Sequence, residues 1–453
     1  MRRRMQGAKR DGFPSMKRIR SMKRGAGRLG GAGRLGGILL GASFVGGLLA
    51  APGPLAGQAH RQAHDQAQGQ THVQNGTHDR LYVALQGEAK VAVINMTTLE
   101  EEARIDLTTF GFSENASPHH VVVDPDGSHW YVSLIAENRV LRFDAENRLV
   151  AEARVEAPGL MVRDATRPRV YVGRSMMAVN PPRSIAEIDI GSMEVELADV
   201  FFPRPHALAM APGLDRIYAA SLSQNQMGSV DPESFDLELL NLEGPIHTLV
   251  QFAVSPDERT LVATAEMTGL LLVYDLADPA RPVLRNSIPV GRRPWHPVFE
   301  PGTDRVWFGT KGDGEVVGVD LATGGIIARI SDPALLNPHG AAISADGRHL
   351  FISSNGPGGM PMMGDMDMGG DPDAHVHAPP PPAHGPPPPV QAAPPPAPAG
   401  HGAHGQHEAH DALGAHDAAP TTGTLTIIDL ATRTVVKVLE MGENTTGIGM
   451  RHR

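Results

Sequence analysis

From Arg80 onward, apolar and polar residues alternate in runs of five or six, and each run ends at a Gly, Asp, Asn or Pro turn. Alternation over so few positions predicts short strands with two distinct faces, joined into antiparallel hairpins by the turn residues. One recurring strand is closed by an acid or amide, at Asn95, Asp144, Asp189, Asp231, Asp275, Asp320 and Asp429. Consecutive spacings are 49, 45, 42, 44, 45 and 109 residues, and the last contains a 65-residue low-complexity stretch from Gly356 to Pro420. Without it the spacing returns to 44, so one unit recurs seven times, as in stacked or radial repeats.

A second element precedes each of these strands. Its clearest copies are SPHHVVVDPDGSHWYVSL from Ser117, RPHALAMAPGLDRIYAAS from Arg204 and NPHGAAISADGRHLFISS from Asn337. Gly127 and Gly347 supply the positive φ that such hairpin turns favour, and the closing Asp or Asn can fix the next turn by accepting from the backbone two residues on. Each unit therefore reads as four short strands, one propeller blade. The chain enters at Arg80 without the first strand of a blade and ends on ENTTGIGM, a first strand without its blade. The expectation is an all-β fold: a single seven-bladed β-propeller of four-stranded antiparallel blades over residues 80–453. The C-terminal strand completes blade 1 and removes an open edge.

These motifs resemble the YVTN repeat of bacterial YncE-like seven-bladed propellers, through Pro338-His339-Gly340, Ser255-Pro256-Asp257, Tyr131-Val132-Ser133 and Ile427-Ile428-Asp429. The resemblance covers residues 80–453 except the insert. It implies the fold and leaves the chemistry open, since such propellers serve as scaffolds, lactonases and metalloenzymes alike.

Charge divides the chain. Residues 1–56 hold 12 Lys and Arg against one acid, and the remainder holds 28 against 49. So acidic a body argues against a nucleic-acid partner. The basic segment runs into the uncharged stretch Gly37 to Ala51, which is too short to span a bilayer comfortably. Residues 1–57 thus read as a secretory signal with a long basic start, the true start being open between Met1, Met16 and Met22. Export to the periplasm or beyond is expected, with no membrane span after cleavage; an uncleaved anchor is the competing reading. Residues 58–79 are a polar leader with nothing to bury. The chain contains no cysteine, which excludes a disulfide framework, a thiolate metal site and a thiol nucleophile.

Aligning the blades places His119, Gly159, His206, Val250, Trp295, His339 and Thr446 at one equivalent position, the start of each innermost strand. His120 and His296 are adjacent to it, and His247 lies three residues before its slot. Six histidines are therefore expected near one mouth of the central channel. Imidazoles converging from separate strands are what a copper or zinc site requires. Nitrous oxide reductase and the methanethiol oxidase family resemble this plan. The competing reading is a turn feature in which each histidine bonds a neighbouring carbonyl.

The insert, residues 356–420, reads as disordered, with 16 prolines and no aromatic. Met360, Met362, Met363, Met366 and Met368 fall within nine residues, and His375 and His377 open a series of eight histidines. Thioether sulfur suits Cu(I), and histidine tracts chelate divalent metals; compositional drift is the bland alternative. Asp365, Asp367, Asp371 and Asp373 mimic a calcium loop without its closing Glu.

No Gly-x-Ser-x-Gly elbow, phosphate loop or His-Glu-x-x-His motif occurs. Glu266 and Asp313, in strand connections, are expected to be solvated. Three functions remain: a binding or scaffold propeller handling a metal ion, a small ligand or a protein partner at its funnel; a copper-dependent oxidoreductase at the histidine ring; and a lactonase-like hydrolase.

Overall fold

The computed structural model describes residues 79–357 and 422–451. Within them, 28 strands, numbered β1 to β28 in chain order, form seven four-stranded antiparallel sheets. The expected propeller is found. Residues 1–78, on which the expected signal and all but the last residue of the expected leader fall, and most of the insert lie outside the described residues.

Closure follows the expected route. The last strand, β28 (Thr445–Arg451), pairs with β1 (Arg80–Leu85), Leu81 opposite Met450 and Val83 opposite Ile448. The blade completed by strands from both ends leaves no inner edge unpaired.

Turn chemistry also acts as the sequence implies. Gly127 and Gly347 have φ of 68° and 69°. Asn95 Oδ1 accepts from the backbone N–H of Thr97 and Thr98, and Asp189 Oδ1 accepts from Gly191 and Ser192. These side-chain turns fix the third-to-fourth strand connection locally, before any blade meets its neighbour.

Apolar alternation then packs blade against blade. Seven buried clusters occupy the seven interfaces, for example Tyr82 and Val91 of blade 1 against Trp130 and Phe143 of blade 2. Tyr82 and Trp130 stack at 4.8 Å, and Trp130 and Phe143 at 4.2 Å. An eighth cluster, Met176, Leu222, Val250 and Trp295, comes from four blades and belongs to the channel.

Candidate metal and ligand site in the channel

The innermost strands of blades 2 to 7 are β4 (Pro118–Val123), β8 (Pro158–Arg163), β12 (Pro205–Ala211), β16 (Leu249–Val254), β20 (Val298–Phe299) and β24 (Pro338–Ile343). At their starts the ladder is irregular. Register shifts fall between Pro118 and Val121, Pro158 and Met161, Pro205 and Ala207, Leu249 and Gln251, and Pro338 and Ala341. His119, Gly159, His206, Val250 and His339 each sit inside one of these bulges. A bulge sets two residues against one and re-aims a side chain. That is how adjacent His119 and His120 both come into ring contact with channel histidines. In blade 6, Pro294 and Pro297 flank Trp295-His296 and lack N–H donors, so β20 is cut to two residues.

The channel gathers five of the six expected histidines. Ring centroids are 6.5 Å apart for His119 and His206, 5.7 Å for His119 and His339, 4.8 Å for His296 and His339, and 6.3 Å for His120 and His296. His247 is held differently, with Nδ1 3.0 Å from Thr268 Oγ1 and Nε2 3.2 Å from the carbonyl oxygen of Glu243.

All five rings are neutral at pH 7. Burial lowers His120 and His206 to about 4, in His206 against the pull of the Arg174 carbonyl, and holds His119, His296 and His339 well below 6.5, where Lys311 also disfavours a charged ring. Hydrogen bonds fix two tautomers. His206 donates Nδ1–H to the carbonyl oxygen of Arg174 at 2.7 Å, and His119 donates Nδ1–H to Gln86 Oε1 at 3.1 Å. Each is left with an Nε2 lone pair. A carbonyl partner behind the ring is the usual support of a metal-binding histidine. His119 Nε2 and both nitrogens of His339 are buried without a partner. His120 has the other tautomer, since its Nδ1 accepts from the Met161 N–H at 3.3 Å.

The donor chemistry thus suits an imidazole-bound metal, but the spacing is loose. Among the described residues, no group of three or more His, Cys, Asp or Glu side chains is drawn together closely enough to hold an ion. Three imidazole nitrogens about 2.0–2.1 Å from one centre would require the rings to close up. The proposed loop ligands Met360, Met362, Met363, Met366, Met368, His375 and His377 lie outside the described residues.

Sequence reasoning missed the polar groups beside the cluster. Lys311, in the turn after β21 (Arg305–Thr310), is buried, with Nζ 2.9 Å from Asn355 Oδ1 and 3.8 Å from the Trp295 ring centre. Burial pushes its ammonium down to about 7, with Arg293 lowering it further and Glu266 opposing. Glu266, expected to be solvated, is 3% exposed. Its Oε1 meets Arg293 at 2.8 Å, and burial raises its carboxyl pKa against the pull of Arg293 and Lys311. The surface expectation failed because the arginine that covers this glutamate comes from the next blade. Asp313 is partly exposed and paired with Arg292 at 2.7 Å. Farther along the same inner strands is a cavity of about 330 Å³, lined by Val122, Met161, Leu208, Met210, Gln251 and Phe252 among others.

No family model and no curated protein matches the chain. Solved structures do match, at the level of fold. A functionally unknown protein from Desulfotomaculum acetoxidans aligns with 12% identity over 82% of this chain and 99% of its own, TM-score 0.55. A candidate 6-phosphogluconolactonase from Bacteroides fragilis gives 12% identity, 83% and 99% coverage, TM-score 0.54. A streptogramin B lyase gives 11% identity, 60% and 86% coverage, TM-score 0.52. Such likenesses carry the propeller and no chemistry.

Proposed function

We propose that the chain is an exported binding propeller whose channel takes one transition-metal ion, copper being the leading candidate, on His119, His206 and His339, with His296 beside them. One observation carries this reading. The Nε2 of His119 and both nitrogens of His339 are buried and unpartnered, while carbonyl oxygens hold the far nitrogens of His119 and His206. Buried polar atoms are otherwise almost always satisfied. Neutral imidazoles are also the form that ligates.

Topology adds support. The Met- and His-rich insert departs between β25 (His349–Ser354) and β26 (Gly423–Asp429), immediately after Asn355, which bonds Lys311 beside the cluster. In this reading it collects metal for the channel, its methionines favouring Cu(I). The repeat motifs keep the chain with the YVTN-type propellers, and the basic and apolar N-terminal segment directs export. Calorimetric titration of Cu(II) and Zn(II) into the parent and into a His119→Ala, His206→Ala, His339→Ala variant tests the site. The parent should show one additional tight site.

A further inference from the structure

An indole N–H donates but cannot accept, and it is no metal ligand. That of Trp295 is buried and unpartnered. Around the ring stand Lys311 Nζ over its face at 3.8 Å, His339 with centroids 5.6 Å apart, and His296 at 6.2 Å. His339, unpartnered at both nitrogens, carries a hydrogen on one of them as a neutral imidazole. Lys311 has one fixed partner, Asn355 Oδ1. The amide nitrogen of Asn355 is tied to Asn444 Oδ1 and the Thr445 carbonyl oxygen, both at 2.9 Å, so that partner is rigid. The acid that acts on Lys311, Glu266, is engaged by Arg293.

Three donors therefore stand at or beside the Trp295 ring, and the unpartnered acceptor oxygen nearest in charge, Glu266 Oε2, belongs to a carboxylate already held by Arg293. An acceptor in line with the indole N–H lies in the ring plane, whereas the ammonium lies over the ring face. A single spherical ion meets both poorly, but two oxygens of one carboxylate can meet them together. We propose that Lys311, Trp295 and His339 form an anion site between blades 6 and 7 that takes one small carboxylate. This goes beyond the metal reading and does not depend on it: the anion uses N–H donors, the metal uses lone pairs, and His339 has one nitrogen for each.

The test uses the full chain, stripped of metal by chelation, with ¹⁵N-labelled tryptophan. The chain has three tryptophans. The indole N–H of Trp130 is occupied by Asn147 Oδ1 and that of Trp307 by Glu300 Oε2, so both serve as internal controls. Trp295→Phe assigns the third resonance. Formate, acetate, nitrate and chloride are titrated at pH 6. Formate or acetate should move the Trp295 resonance to saturation and leave the other two in place. Affinity should fall at least tenfold between pH 6 and pH 8.5, as Lys311 discharges near pH 7. Of the other groups facing this site, His119, His296 and His339 stay neutral, while Glu266 remains paired with Arg293. Lys311→Met should weaken binding at pH 6 at least tenfold and remove the pH dependence. If that variant does not fold, the parental pH series decides. A Trp295 resonance that does not move, a shift that never saturates, chloride binding as tight as acetate, or parental affinity in Lys311→Met would overturn the proposal. Failure of the metal site would leave it standing, because no metal is present.

Discussion

The hydroxyl of Thr446 lies 3.2 Å from the carbonyl oxygen of His119 and 3.4 Å from that of Ala84. The last strand of the chain thus grips the start of blade 2 at the position where the first channel histidine emerges. Gln86, just past β1, holds the ring of the same histidine. Ring closure and site geometry are one structural feature here, and a defect in the first should appear in the second.

Removing residues 445–453 takes away β28 and leaves the inner edge of β1 unpaired. Cooperative unfolding should be lost or the melting transition lowered sharply, as followed by circular dichroism. An unchanged transition would show that closure is dispensable.

A finer test is Gly447→Ala. An added Cβ would overlap the carbonyl oxygen of His119 and lie 2.7 Å from the Cα of His120. Overpacking of this kind costs about 1–3 kcal/mol. Denaturant unfolding should show a loss in that range.

Deleting residues 358–421 should leave folding intact. The ends of the connection already touch, since a Cβ on Gly356 would be 2.6 Å from the carbonyl carbon of Thr422. Loop closure cost grows only logarithmically with length, so the shortened chain should melt at the same temperature or slightly higher. Failure to fold would show that the insert packs against the propeller.

The buried histidines make stability depend on acid. His206 binds a proton near 6.5 when unfolded but only at about 4 when folded. Between those values the unfolded state holds more protons, so stability falls as pH drops through that window. Each pH unit there is worth about 1.4 kcal/mol for one such group. Urea unfolding from pH 7 to pH 4.5 should show a steep decline, less steep by about that slope in His206→Asn. Lys311 has the same sign at higher pH: its folded value near 7 lies below its ordinary 10.5, so stability rises with pH between them.

What the sequence reveals and conceals follows from contact range. The Asp-Gly turns, the Asn95 and Asp189 turns and the strand alternation are settled within a few residues, so seven blades could be counted directly. The channel positions followed from aligning repeats, and His119 does meet both His206 and His339 ring to ring. Glu266 could not be read this way, because Arg293 reaches it from the following blade. His247, three residues before its slot, was expected near the same mouth, yet its own loop captures it through Glu243. Lys311 left one trace: it is one of three lysines after residue 56, in a chain that otherwise uses arginine. An arginine would keep its charge when buried, whereas a lysine can give it up.

The most direct measurement is metal stoichiometry in the chain lacking residues 358–421, so that its eight histidines cannot contribute. After loading with copper or zinc and removal of excess, elemental analysis should find about one ion per chain, lost in the His119→Ala, His206→Ala, His339→Ala variant. A parent that retains no metal, or a variant that retains as much as the parent, would contradict the account and leave the histidine ring a structural feature of the bulged inner strands.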